Sequence, residues 1–186
     1  GAITINSATV ELNASITTTA GHDGLTDNGK VTITAGAGGV SLVDGESITT
    51  TADSPSKASG AIAINSSGAV SLDGVLITTG AENAVGVGGQ GGDVTVTVTG
   101  VATIDLADIT TSGGATLQPE SFAGGTAGNM TITSDTGSIT LNASAINARR
   151  GDGIRSAKSD GFQSGVVIFD GPVILADDDA GIDVIS

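Results

Sequence analysis

The chain has 186 residues, no cysteine, a formal net charge of −14 at pH 7 and aromatic side chains at only 2% of its positions. The charge argues against binding to nucleic acid or to an anionic membrane surface, since both require clustered cations. The lack of cysteine excludes disulfides and thiolate metal sites. No apolar run approaches transmembrane length, and with glycine at residue 1 we expect a processed or excised piece of a longer chain.

Three short apolar phrases, each alternating with polar residues, recur in the same order along the chain. In the first unit they are Ile3/Ile5, Val10/Leu12 and Ile16, the last followed by three threonines. The corresponding phrases of the later units are Val31/Ile33, Val40/Leu42 and Ile48; Ile62/Ile64, Val70/Leu72 and Ile77; Val94/Val96, Ala102/Ile104 and Ile109; Met130/Ile132, Ile139/Leu141 and Ile146; and Val166/Ile168, Val173/Leu175 and Ile182.

This repetition predicts an all-β fold, a right-handed parallel β-helix (β-solenoid) of about six coils with three short strands each. One unit cannot bury its own apolar face, but stacked units can. The predicted coils of this single domain span residues 1–28, 29–59, 60–91, 92–127, 128–163 and 164–186, with the longer loops after the third strand. An antiparallel β-sandwich is the alternative, although it would not naturally repeat one three-part phrase along the chain.

Stacking also predicts which residues share a column. The third strands should align the inward residues Ile16, Ile48, Ile77, Ile109, Ile146 and Ile182. Asn and Asp tolerate the left-handed backbone of a sharp bend, which predicts turns after the second strands at Asn13, Asp44, Asp73, Asp105 and Asn142.

Outward threonines of the third strands are the first candidate binding surface. Thr17, Thr49, Thr78 and Thr110 should form a ladder, continued by Asn147. Regular threonine ladders on a flat solenoid face resemble those of ice-binding proteins. The alternative interpretation is that threonine simply suits the solvent face of a strand. Long loops beside this ladder, and the incomplete Thr-x-Thr pattern of the first strands, favour that alternative.

A second candidate is the loop of the fifth unit, which holds most of the cations. Its tripeptide Arg150-Gly151-Asp152 resembles the integrin-recognition motif of some adhesins, which makes this a candidate receptor-binding loop. A tripeptide arises readily by chance, so an ordinary solvated loop is the competing interpretation.

We predict no cofactor, with Ca²⁺ as the one candidate metal. Residues 88–96 match the calcium nonapeptide with Asp93 at its acidic position, but Thr95 stands where a large aliphatic residue is expected. That motif binds through tandem copies, and it occurs here once. Acidic loops containing Asp23 and Asp27, or residues 177–179 with Asp183, would offer oxygen ligands.

The sequence does not predict an enzyme. Polysaccharide-cleaving β-helices need paired carboxylates, or a base beside a cation, in a groove usually lined by aromatics. Asp105 has a predicted turn role beside Asp108, His22 is the only histidine, and the chain contains no Trp or Tyr.

Three phrases carry a family resemblance: GGQGGDVTVTV, TAGNMTITSDTGSITLNASAI and GAIAINSSGAVSLDGVLITT. They resemble the β-helical repeats of large filamentous-haemagglutinin-type exoproteins of bacterial two-partner secretion, over residues 1–147. The resemblance implies secretion to, or display at, the bacterial cell surface and a role in adhesion or in extending a tip outwards.

We therefore expect a non-catalytic stalk or filament segment of a secreted bacterial surface protein, contributing to adhesion or extracellular matrix assembly. Its expected partners are adjacent coils or subunits of the same protein, with a host receptor or surface glycan as further partners. No nucleic acid and no membrane insertion are expected. The alternatives are a binding module, for ice or a receptor, and a carbohydrate-active β-helix enzyme.

Overall fold

The computed structural model describes residues 1–20, 29–99, 104–106, 108–115, 124–135, 137–141, 145–149, 167–170, 173–175 and 181–185. This part of the chain contains β-strands and no helix, and all of its strand pairs are parallel. The strands are β1 (Ile3–Leu12), β2 (Ile16–Ala20), β3 (Val31–Leu42), β4 (Ser47–Ala52), β5 (Ile62–Ser66), β6 (Val70–Leu72), β7 (Val75–Thr79), β8 (Val94–Val98), β9 (Ile104–Leu106), β10 (Ile109–Ser112), β11 (Met130–Ser134), β12 (Ile139–Leu141), β13 (Ala145–Arg149), β14 (Val167–Asp170), β15 (Val173–Leu175) and β16 (Gly181–Ile185).

The strands form three parallel stacks, which makes the fold a β-solenoid, as predicted. The first stack runs β1-β3-β5-β8-β11-β14, and the second runs β1-β3-β6-β9-β12-β15. Both stacks include β1 and β3 because the first and second strands of those units are continuous; Val31–Ala35 pairs with β5 and Val40–Leu42 pairs with β6. The third stack is a separate sheet, β2-β4-β7-β10-β13-β16. The right-handed sense of the coil stays a prediction.

Columns of aliphatic side chains fill the inside of the solenoid. In the first stack Ile5, Ile33, Ile64, Val96 and Ile132 align one above another, and the last four are 0% exposed. Strict alternation places the intervening threonines and asparagines outside, as the period of a strand requires. Burial of each such aliphatic side chain contributes about 1.5–3 kcal/mol, so the stacked columns are the main source of stability.

The structure corrects the third-stack column by one residue. Leu76, not Ile77, aligns with Ile48 and Ile109. Leu76 is 0% exposed, whereas Ile77 lies in an outward position. The segment Val75–Thr79 begins with three consecutive apolar residues, so hydrophobicity alone permits either register.

Two further alignments also differ from the predictions. Val167, not Val166, pairs with Met130. Because of this register Ile168 points outward, with 48% exposure, and Phe169 packs against the core. In the fourth unit Ile104 and Leu106 are the residues in register with Val70 and Leu72, so Asp105 lies within β9 and is not the turn residue. Asp105 pairs with Ser71 on one side and Thr140 on the other.

The other predicted turn residues lie as follows. Asn13 and Asp73 directly follow β1 and β6. Asp44 lies in a tight turn closed by a hydrogen bond from the Glu46 N–H to the Val43 carbonyl, at 3.2 Å, in which Gly45 has a φ of 80°. Glycine suits this position because residues with a side chain rarely adopt positive φ. Asn142 lies outside the described residues.

Candidate functional site

The third stack presents a face of eight uncharged side chains, seven of them threonine or serine and one isoleucine, which we call the hydroxyl face. It comprises two outward columns on the successive strands β2, β4, β7 and β10. The first column is Thr17, Thr49, Ile77 and Thr110, and the second is Thr19, Thr51, Thr79 and Ser112. Thr17 and Thr19 are exposed and the other six are half-buried. Asn147 continues the first column on β13.

The predicted ladder is wrong at one of its four positions. Thr17, Thr49 and Thr110 lie in the outward column, but Thr78 is 0% exposed and lies inside the solenoid. Ile77 takes the outward place because the register of β7 is shifted by one residue from the predicted alignment. The sequence signal that could have revealed this was Leu76, an apolar residue directly before Ile77.

A buried threonine column lies directly behind the hydroxyl face. Each of its hydroxyls donates a hydrogen bond to the carbonyl of the glycine two residues before the next strand of the first stack. Thr18 donates to Gly29, Thr50 to Gly60 at 2.5 Å, Thr78 to Gly92 at 2.6 Å and Thr111 to Gly128 at 2.8 Å. Ala148 holds the same column position on β13. These bonds join the third stack to the first stack across each long connection.

The accepting glycines stack on one another so closely that side chains do not fit. A Cβ on Gly92 would overlap the carbonyl oxygen of Gly60, and one on Gly128 would overlap that of Gly92. Glycine is therefore required at Gly60, Gly92 and Gly128 for close approach of the backbones, and Gly29 in addition has a φ of 71°. The threonine hydroxyls and this glycine column together hold the third stack in fixed register.

Outward hydroxyls also bond to each other along the stack. Thr51 donates to the Thr19 hydroxyl at 3.3 Å, and Ser112 donates to the Thr79 hydroxyl at 3.3 Å. At the start of β4 the Ser15 hydroxyl donates to Glu46 Oε2 at 2.7 Å and accepts from the Ser47 N–H at 2.9 Å. On β2, β4, β7 and β10 the face is thus an ordered array of hydroxyl and methyl groups, with Glu46 at its border and Arg149 of β13 next in line after Ser112.

Most of the other predicted site residues lie in parts of the chain that the structure does not describe. Arg150, Gly151 and Asp152 lie outside the described residues, as do His22, Asp23, Asp27 and residues 177–179. Asp93 is exposed, and its Oδ1 accepts a hydrogen bond from the Asn129 N–H at 2.8 Å, so it joins two neighbouring loops. Among the described residues no group of three or more His, Cys, Asp or Glu side chains could hold a metal ion.

A shallow open depression lies on the second stack, at the bulge between β1 and β3. Its lining includes Thr9, Glu11, Ser41 and Ser71, with Glu11 as its single ionisable side chain. Acid–base cleavage of a glycosidic bond uses two facing carboxyl groups, which this depression does not supply.

Comparisons with protein-family models, with curated proteins and with solved structures found no match to this chain. In the described part of the chain no helix is long and apolar enough to cross a membrane.

Proposed function

We propose that this chain is a non-catalytic segment of a rigid stalk or filament in a secreted bacterial surface protein, where it contributes to adhesion or matrix assembly. The observation that carries the proposal is the incomplete burial of the apolar columns at both ends of the stacks. The ends are suited to continuation by more of the same structure.

The first end is formed by β1 and β2, each of which pairs with a single strand among the described residues. Ile3 and Ile5 are only partly buried there, whereas Val31 and Ile33 of the next strand are 0% exposed. A parallel edge strand presents unpaired N–H and C=O groups, which another strand can satisfy. An adjacent coil or subunit would bury both the apolar residues and the edge.

The opposite end has the same character. Val167 and Phe169 of β14 are partly buried, while Met130 and Ile132 of the neighbouring β11 are 0% exposed. Both ends expose the same columns of the first stack, so a coil added at either end would extend those columns in register. Repeat proteins gain stability in this way, because each unit is stabilised by its neighbours.

The surface location is supported by the resemblance of the Gly-, Thr- and Asn-rich phrases to filamentous-haemagglutinin-type repeats. The net charge of −14 and the near absence of aromatics suit a solvated scaffold better than a sugar-binding groove.

Immunogold electron microscopy of the organism that encodes the chain tests the proposal. Antibodies raised against the 186-residue protein should label intact, unpermeabilised cells on external fibres or in the extracellular matrix. Antibodies to a cytoplasmic marker serve as the control for intact cells. Labelling that appears only after permeabilisation would rule out the surface role.

A further inference from the structure

The hydroxyl face supports a binding function that is separate from the stalk. We propose that this face binds ice, through its two columns of hydroxyl and methyl groups on β2, β4, β7 and β10. The proposal rests on the corrected register of the third stack and does not depend on the cellular role proposed above.

The first argument is periodicity. Neighbouring strands are about 4.8 Å apart, and alternate residues of one strand are about 6.6 Å apart, so the columns define a rectangular lattice. The second column carries a hydroxyl on all four strands, at Thr19, Thr51, Thr79 and Ser112. The oxygen atoms of ice repeat on the same length scale, and so this array can match them at several points at once.

The second argument is rigidity. The strands carrying the face are in continuous register, with no bulge between them. Behind them the hydroxyls of Thr50, Thr78 and Thr111 are tied to glycine carbonyls in the interior. Because β-branched side chains have few χ1 rotamers, an array held in this way loses little conformational entropy on binding.

The third argument is the lack of charged and aromatic side chains on the face. None of the eight face residues is charged, although the chain as a whole carries a formal charge of −14 and the register of β13 places Arg149 next after Ser112, beyond the face. An uncharged ligand therefore fits the face better than an ionic one. The face has no aromatic side chain on which a sugar ring could stack, which favours a water lattice over a polysaccharide.

The outward side of the first stack is a weaker candidate, and it supplies a matched control. It also carries threonines, including Thr95, Thr97, Thr131 and Thr133 on β8 and β11. However, Ala63 and Asn65 of β5 interrupt both of its columns before β3 is reached.

The experiment compares ice growth in the presence of the wild-type protein and of three variants. Thr51→Lys puts a long cationic side chain in the middle of the hydroxyl face. Thr19→Lys puts the same side chain in the same column on the edge strand β2, at an exposed position with little risk to folding. Thr97→Lys places the same charge on the first stack. Thermal hysteresis and the shape of single ice crystals are measured by osmometry, and circular dichroism verifies that each variant is folded.

The expected result is that the wild-type protein shapes ice crystals and lowers their growth temperature below the melting point. Thr51→Lys and Thr19→Lys should lose most of this activity, while Thr97→Lys retains it. The absence of hysteresis and shaping in the wild-type protein would overturn the proposal, as would equal loss in all three variants. Pelleting with crystalline cellulose that depends on Thr51, without any effect on ice, would also overturn it in favour of a polysaccharide. The stalk proposal is unaffected by these outcomes, since surface labelling tests it independently.

Discussion

Replacing the buried Thr78 with valine tests the link between the third stack and the glycine column. Valine has nearly the same shape as threonine, so the packing of this 0%-exposed residue is preserved. The substitution removes the hydroxyl that donates to the Gly92 carbonyl at 2.6 Å. A net hydrogen bond is worth about 1 kcal/mol, and a buried acceptor that loses its donor costs about 1–3 kcal/mol. We expect Thr78→Val to lower the free energy of unfolding by about 2 kcal/mol.

Two matched variants separate the hydroxyl from the methyl group. Thr79→Val makes the same chemical change at the neighbouring outward residue, whose hydroxyl contacts only Ser112 among the bonds described for it. It should change stability by no more than about 0.5 kcal/mol. Thr78→Ser keeps the hydroxyl and removes one buried methyl group, which should cost about 0.8 kcal/mol.

Urea unfolding followed by circular dichroism gives the stability of each variant. Because repeat proteins can unfold in parts, native-state hydrogen exchange of the amides around Gly92 is measured as well. Exchange there should accelerate in Thr78→Val and remain unchanged in Thr79→Val. If Thr78→Val is as stable as the wild type, or if the two valine variants lose equal stability, then the buried hydroxyl does not hold the register.

Three further predictions follow from the packing. Gly92→Ala should destabilise the protein by about 3 kcal/mol, because its Cβ would overlap the backbone of Gly60 in the preceding unit. Gly1→Ala, with open space around it, should leave the thermal melting temperature unchanged. Leu76→Ala should lower the free energy of unfolding in urea by about 2–5 kcal/mol, and Ile77→Ala should lower it far less. The opposite order would show that the register of β7 is wrong. Ile5→Lys should weaken end-to-end association of the protein in sedimentation velocity, because it places a charge on the half-buried terminal strand; undiminished association would mean that this end is not the contact.

The sequence predicted the alignment correctly where only one strand register buries the apolar side chains. Val40, Val70 and Leu42, Leu72 lie in phrases where apolar residues alternate strictly with polar ones, so only one register buries them. At Val75–Thr79 and at residues 166–169 consecutive apolar residues permit two registers, and the alignment chosen from residue identity was wrong in both places.

The candidate site was predicted less completely than the fold. A sequence pattern assigns threonine to the polar, outward side of a strand. The burial of Thr50 and Thr78, both 0% exposed, was therefore not predicted. Its burial depends on a partner carbonyl that lies 10 residues away in the chain for Thr50 and 14 for Thr78. No local pattern contains that information.

The amino-acid sequence by itself determined the architecture of this protein, since a three-part apolar phrase that cannot bury its own surface must stack on its copies. Only the tertiary structure decided which of two adjacent residues turns inward at Leu76 and Ile77, and which threonines lie inside. Those choices depend on hydrogen bonds and close glycine contacts between neighbouring units, and such contacts exist only after the units have stacked.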